Sequence, residues 1–332
     1  MKIIIPGGSG QVGGALARAF VRDGHEAVIL SRGGTAPAGF DPGARFVAWD
    51  ARTATGAWAA ELDGADAVVN LAGRSVNCRY HAANRREITQ SRTESTHAIG
   101  EAIARAARPP RVWLQASTAT IYAHRFDAPN DEATGIMGGQ EPGLPDTWRF
   151  SYDVCYAWED AARTEAARLP ATRQVLLRSA ITLSPDRGGA FDVLLGLVRR
   201  GLGGTDGDGR QFVSWIHEAD FVRAVYRLLE DDTFSGPVNL AAPAPLPNAE
   251  FMHGLRQAWG IGFGLPAARW MLEVGAVFLR TETELILKSR RVVPGRLLEA
   301  GFAFEYATWP EAARELCARW RRGPAGLALP PS

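Results

Sequence analysis

Lys2-Ile3-Ile4-Ile5-Pro6-Gly7-Gly8-Ser9-Gly10-Gln11-Val12-Gly13 is the stretch whose reading decides the fold. The β-branched run predicts a strand over Lys2–Pro6, and the residues from Gly14 to Arg22 predict a helix. Between them the glycines satisfy two spacings, Gly8/Gly10/Gly13 and Gly7/Gly10/Gly13. Early glycines at a strand-to-helix turn let backbone N–H groups approach a pyrophosphate. The last lets the helix pack close to the strand, its positive end facing the phosphates. Gln11 and Val12 join Gly7, Gly8, Gly10 and Gly13 as candidate cofactor contacts.

Outward from this loop, short β-branched runs alternate with amphipathic helices. Strands are expected at Ala27–Ser31, Arg45–Trp49, Ala67–Leu71, Arg111–Ala116, Gln174–Ile181 and Pro237–Leu240. Helices are expected around Arg85–Ala107, Asp153–Arg168 and Glu218–Leu229. Such alternation predicts an α/β fold, a doubly wound parallel sheet of the Rossmann type. Past Leu183, glycine turns and proline-punctuated helical sequence predict a smaller, mainly helical C-terminal substrate lobe. The expected division is 1–183 plus about 213–242 for the nucleotide-binding domain, and about 184–212 plus 243–322 for the lobe. The Gly/Pro/Ala-rich tail, 323–332, is expected to fray.

The 37 basic and 36 acidic residues among 332 leave a net charge of +1, which argues against nucleic acid or an anionic membrane as partner. Cys78, Cys155 and Cys317 form neither a metal-ligand spacing nor a disulfide framework, and the six histidines add none, so no metal is expected. With no signal peptide and no membrane-length apolar run, a cytoplasmic location is expected. Of the 37 basic residues only Lys2 and Lys288 are lysines.

The end of the second strand reads Ser31-Arg32, where an NAD site usually places an acid for the ribose 2′-hydroxyl. A guanidinium there suits a 2′-phosphate, so the expected cofactor is NADP(H), with NAD(H) the alternative. Asp50, closing the third strand, is a candidate acceptor for the adenine amine. Leu71, Ala72 and Gly73, closing the fourth, are candidates to line the cofactor with small-residue backbone.

These motifs resemble the extended short-chain dehydrogenase/reductase superfamily. More narrowly, the chain resembles its epimerase-like subfamily with a dedicated C-terminal module. The resemblance runs nearly end to end: Asn70-Leu71-Ala72-Gly73, Arg79-Tyr80, Ser91-Arg92, Ala116-Ser117, Ile121-Tyr122, Trp158-Glu159, Ser214-Trp215-Ile216-His217, and Glu299-Ala300-Gly301-Phe302. It implies a catalytic-position hydroxyl at Ser117, with Thr118 the alternative by spacing. It also implies a tyrosine and a lysine four residues apart on one helix. This chain departs from that pattern, since neither lysine follows a tyrosine by four. Matching Glu159 to the superfamily's glutamate puts Ser151 and Cys155 at the two positions; a one-residue slip puts Tyr152 and Tyr156 there. Tyr152 is the favoured proton donor.

Arg79, Arg86 and Arg92 are candidates for an anionic group, Arg92 near the cofactor and Arg79 near the substrate. Tyr122, Tyr156 and His217 complete the substrate candidates, and Ser117 is a cofactor contact as well. The leading expectation is an NADP(H)-dependent oxidoreductase or epimerase-like enzyme acting on a small carbonyl or hydroxyl compound, as monomer or homodimer. Alternatives are a non-catalytic NADP(H)-binding regulatory or assembly protein and a nucleotide-sugar epimerase or dehydratase.

Overall fold

The computed structural model describes residues 1–37, 39–268 and 282–323. Seven strands form one parallel sheet: β1 (Lys2–Pro6), β2 (Glu26–Ser31), β3 (Arg45–Ala48), β4 (Ala67–Asn70), β5 (Val112–Thr118), β6 (Arg173–Ser179) and a late strand, Gly236–Leu240. The spatial order is late strand, β6, β5, β4, β1, β2, β3. The order reverses next to β1, so its carboxyl end opens at the switch point where such sheets take ligands.

Alternation of side chains divides the core into two layers. Ile3, Ile5 and Ile29 face α1 (Gln11–Arg22) and a helix at Glu218–Glu230, while Ile4, Val28 and Val68 face α2 (Ala82–Arg105). All six are fully buried, as expected of a parallel sheet covered on both faces.

Next come α3 (Asp146–Ala166), β7 (Ile181–Leu183), α4 (Ala190–Arg199), β8 (Phe212–Val213), β9 (Trp215–His217) and α5, the Glu218–Glu230 helix. The late strand is β10, followed by β11 (Leu246–Pro247), α6 (Asn248–Trp259), α7 (Glu284–Leu287), α8 (Gly295–Glu299) and α9 (Trp309–Arg322). Beyond shifts of one to three residues at element ends, expectation and structure differ most at the sixth strand and at α3. The sixth strand stops at Ser179, and β7 leaves the sheet to pair with β9. Helix α3 begins at Asp146, two turns before the expected Asp153, because Pro145 sets its entry and Asp146 suits its first turn. Pro237 sits in β10, which among the described residues pairs only with β6, so its missing N–H costs the ladder nothing. Arg296 Nη1 donates to the carbonyls of Ser235 and Pro237 at 2.6 and 2.7 Å.

A separate apolar cluster joins Phe191, Leu195, Trp215, Phe251, Trp309, Leu316 and Trp320 from α4, β9, α6 and α9. Trp309 stacks on Phe251 with centroids 4.1 Å apart, and its Nε1 donates to the Phe251 carbonyl at 2.7 Å. The cluster is tied to the sheet layer by Arg319–Glu218 at 2.7 Å and by His217 Nε2 against Glu315 at 2.8 Å. The tail expected to fray lies outside the described residues, apart from Gly323. Among the described residues no helix is long and apolar enough to cross a membrane.

Candidate functional site

At the carboxyl end of β1, Gly7 donates to the Leu30 carbonyl at 2.9 Å and takes φ 73°. A Cβ at Gly7 would lie 2.6 Å from Ala72 Cα, and one at Gly13 2.3 Å from the Gly8 carbonyl oxygen. Both glycines are demanded by the protein's own backbone. Gly10 is not: a Cβ there meets nothing closer than 3.9 Å. It is exposed, and it caps α1 without any side-chain hydrogen bond to the first-turn amides. The packing of the fold therefore leaves room for a side chain at position 10. Gln11 Nε2 is buried without a partner among the described residues.

Beyond β2, Ser31 Oγ accepts from Gly34 N at 3.1 Å, and exposed Arg32 makes no ion pair among the described residues. Asp50 is turned to a local task. One carboxylate oxygen accepts from Arg52 N and Thr53 N, the other from Thr53 Oγ1. Buried Asn70 orders the end of β4, donating to Gln115 Oε1 and accepting from Ala72 N, which presents Leu71, Ala72 and Gly73 beside the glycine loop.

At the end of β5 the structure distributes the expected reagents differently from one another. Ser117 Oγ donates to Glu159 Oε1 at 2.7 Å. Arg178 clamps both oxygens of Glu159 at 2.8 and 2.9 Å and reaches Tyr122 OH at 3.0 Å, and that phenol donates to Asn239 Oδ1. Ser117 and Tyr122 thus belong to a buried polar network joining β5, β6, β10 and α3. Thr118 Oγ1 accepts from Thr120 N and caps the short 3-10 turn Ala119–Ile121. Tyr152 is fully buried, and its phenol donates to Glu141 Oε1 at 2.8 Å. Burial, then the Glu141 carboxylate, push its pKa well above the ordinary phenol value. Tyr156 OH donates to the Gly138 carbonyl, and Arg79 pairs with Glu282. His217 is buried away from these groups' network, its Nδ1 accepting from Ala219 N and its ring stacked on Tyr306.

Sequence reasoning missed the groups that residues 282–290 deliver. Lys288 Nζ donates to the Thr120 carbonyl at 2.9 Å and lies 3.4 Å from the centroid of the Tyr152 ring. Arg290 Nε donates to Thr120 Oγ1 at 3.2 Å and its Nη2 to Glu284 Oε1 at 2.7 Å. Ser151 Oγ donates to Glu284 Oε2 at 3.1 Å, and Glu282 Oε1 accepts from Tyr80 N at 2.8 Å. One segment therefore brings three charged side chains onto α3 and the end of β5. The signal available in sequence was the scarcity of lysine. Arg92, on α2, donates to the Arg74 and Ile88 carbonyls at 3.0 and 2.9 Å and stacks on Trp158 at 4.9 Å. It meets no carboxylate among the described residues, and burial lowers its pKa. Among those residues no group of three or more His, Cys, Asp or Glu is placed to hold a metal ion.

The parallel sheet with a glycine cradle on its central strand, roofed by a C-terminal segment, defines a nucleotide-cofactor fold of the epimerase/dehydratase type. The model of the NAD dependent epimerase/dehydratase family matches residues 3–142, and that of a domain of unknown function, DUF1731, matches 267–316. The epimerase family protein SDR39U1 of Bos taurus is 34% identical over 324 residues, covering 96% of this chain and all of that one. The crystal structure of human SDR39U1 (isoform 2) with NADPH has a TM-score of 0.79 and 31% identity, covering 96% of this chain and 99% of that one. The chain belongs to this SDR39U1-like epimerase family. UDP-N-acetylglucosamine 4-epimerase from Bacillus cereus, at 18% identity and a TM-score of 0.73 over 97% of this chain and 99% of that one, shares the fold.

Proposed function

We propose that this chain binds NADP(H) and acts as a cytoplasmic NADP(H)-dependent oxidoreductase on a small carbonyl or hydroxyl compound. The observation that carries the reading is Gly10, a position where the protein's own packing leaves room for a side chain and the sequence supplies none. The amides opening α1, with Gly7, Gly8, Gly13, Gln11 and Val12 around them, would hold the pyrophosphate, and Leu71 to Gly73 would flank it. Exposed Arg32 would meet a 2′-phosphate. NADPH in the human relative's structure supports the same choice.

When bound, the cofactor supplies hydride. This chain's residues position the acceptor and handle the proton at the carboxyl ends of β4 and β5, with residues 184–212 and 243–322 as the substrate lobe. Ser117 and Tyr152 both donate to carboxylates, and Tyr152 holds its proton tightly. That commitment favours, as a second reading, a non-catalytic NADP(H)-binding protein.

Fluorescence titration tests the cofactor: Arg32→Glu should weaken NADPH binding at least tenfold while changing NADH binding little. Equal losses would defeat the choice of NADP(H). NADPH carrying deuterium at C4, incubated with a panel of small aldehydes, ketones and oxo acids, separates the two readings. Deuterium in a product alcohol marks the oxidoreductase; tight binding without transfer across the panel marks the second reading.

A further inference from the structure

Tyr152, Cys155 and Trp158 stand at i, i+3 and i+6 on α3, a winding stripe about 9 Å long. A cation is seated on the aromatic ring at each end. Lys288 Nζ lies 3.4 Å from the Tyr152 centroid, and Arg92 Cζ lies 4.9 Å from that of Trp158. Cys155, between those two ring positions in the stripe, feels both charges.

Neither side chain has a close carboxylate among the described residues. Arg92 spends Nη1 on two carbonyls and has no carboxylate among the described residues. The nearest carboxylate oxygen to Lys288 Nζ, Glu284 Oε1, is 3.9 Å away, and that oxygen already accepts from Arg290 at 2.7 Å. The Lys288 side chain is completely buried. A desolvated cation without a close counter-ion is costly, and such perturbed groups cluster at functional sites.

The placement is specific to the sheet. The Arg92 guanidinium abuts Gly73 just after β4, 3.3 Å from where a Cβ would stand, and Lys288 bonds Thr120 just after β5. These strands are neighbours, so the two cations stand beside carboxyl ends that adjoin in the sheet, the side on which such folds take ligands.

We propose that Arg92 and Lys288 together receive an anionic group of the substrate, a carboxylate or a phosphate, at the carboxyl ends of β4 and β5. This rests on the oxidoreductase reading and narrows its substrate class to anionic carbonyl or hydroxyl compounds. Burial and then Arg290 pull the Lys288 pKa down to about 7. The charged groups facing it are Glu284 and Arg290 on its own segment, Cys155 and Tyr152 on α3, and Glu141 and His124 from the loop before α3. An arriving anion therefore draws a proton onto Lys288, and an amine that titrates near neutrality reports the event.

Only two lysines make this readable. Full-length protein labelled at lysine Cε and Nζ should give two side-chain NMR signals, and Lys2→Arg assigns them. In protein saturated with NADP+, inorganic phosphate or oxalate should move the Lys288 titration midpoint up by at least one pH unit. Arg92→Gln should weaken that effect at least tenfold, and Arg92→Lys should restore part of it. Should NADP+ alone produce the whole shift, the charge received is the cofactor's own phosphate and the substrate assignment is overturned. A midpoint unmoved by NADP+, phosphate and oxalate overturns the anion site altogether. A shift with phosphate in protein that takes up no NADP+ leaves the anion site standing and removes the oxidoreductase reading instead.

Discussion

Gly10 and Gly13 look alike in the sequence and differ in what surrounds them. A methyl at Gly13 would overlap the Gly8 backbone, so Gly13→Ala should lower stability by about 1–3 kcal/mol as well as weaken cofactor binding. Gly10→Ala should lower the urea midpoint far less than Gly13→Ala, by the small cost of a poorer N-cap, and weaken NADPH binding at least tenfold. An alanine at 10 that binds NADPH like the parent would remove the main support for the cradle. Glu159 belongs to the opposite kind of residue, whose task is internal. Replacing it with Gln leaves the Arg178 guanidinium buried without its counter-charge, an expected loss of about 3–5 kcal/mol by denaturant unfolding. Ser117→Ala, which removes only one hydrogen bond to that carboxylate, should cost about 1 kcal/mol. Sequence offered Ser117 as a reagent because it stands at the end of a strand. Which way its hydroxyl turns depends on Glu159 and Arg178, 42 and 61 positions further on, and no local pattern carries that.

The segment from Glu282 to Arg290 behaves as one element, and Lys288 gives it a pH signature. Its folded pKa of about 7 lies below the ordinary lysine value of 10.5. Between those values the unfolded chain holds the proton that the folded chain has shed. Stability should therefore rise with pH across that window, approaching about 1.4 kcal/mol per unit for this group, and fall again as pH drops toward 7. Lys288→Met should flatten that part of the profile, which paired unfolding curves at pH 7, 8 and 9 would show. A wild-type curve parallel to the variant's would mean the amine is not desolvated in solution. Elements dominated by their own periodicity were legible: β1 and α5 fall where the sequence puts them, to within a residue. The start of α3 was not, because its first two turns carry no apolar repeat and are ordered by partners such as Glu284. Nor was Lys288, whose aromatic neighbour lies 136 positions away and outside any spacing rule.

At the scale of the whole molecule, the strand-helix alternation announced the parallel sheet, while the cluster around Trp309 gave only a proline-punctuated helical texture. Its order comes from ring-on-ring packing between α6 and α9, which separates Phe251 from Trp309 by 58 positions. Trp309→Ala should cost about 3–5 kcal/mol, and near-ultraviolet circular dichroism should weaken. Intact signal with unchanged stability would show that this cluster does not depend on the stacked pair. A final consequence follows from Pro237 and the Arg296 guanidinium that caps the neighbouring carbonyls. A foreign strand arriving at this border finds an imide nitrogen with no proton to give and oxygens already claimed. Edge-to-edge polymerisation is thereby discouraged on that side.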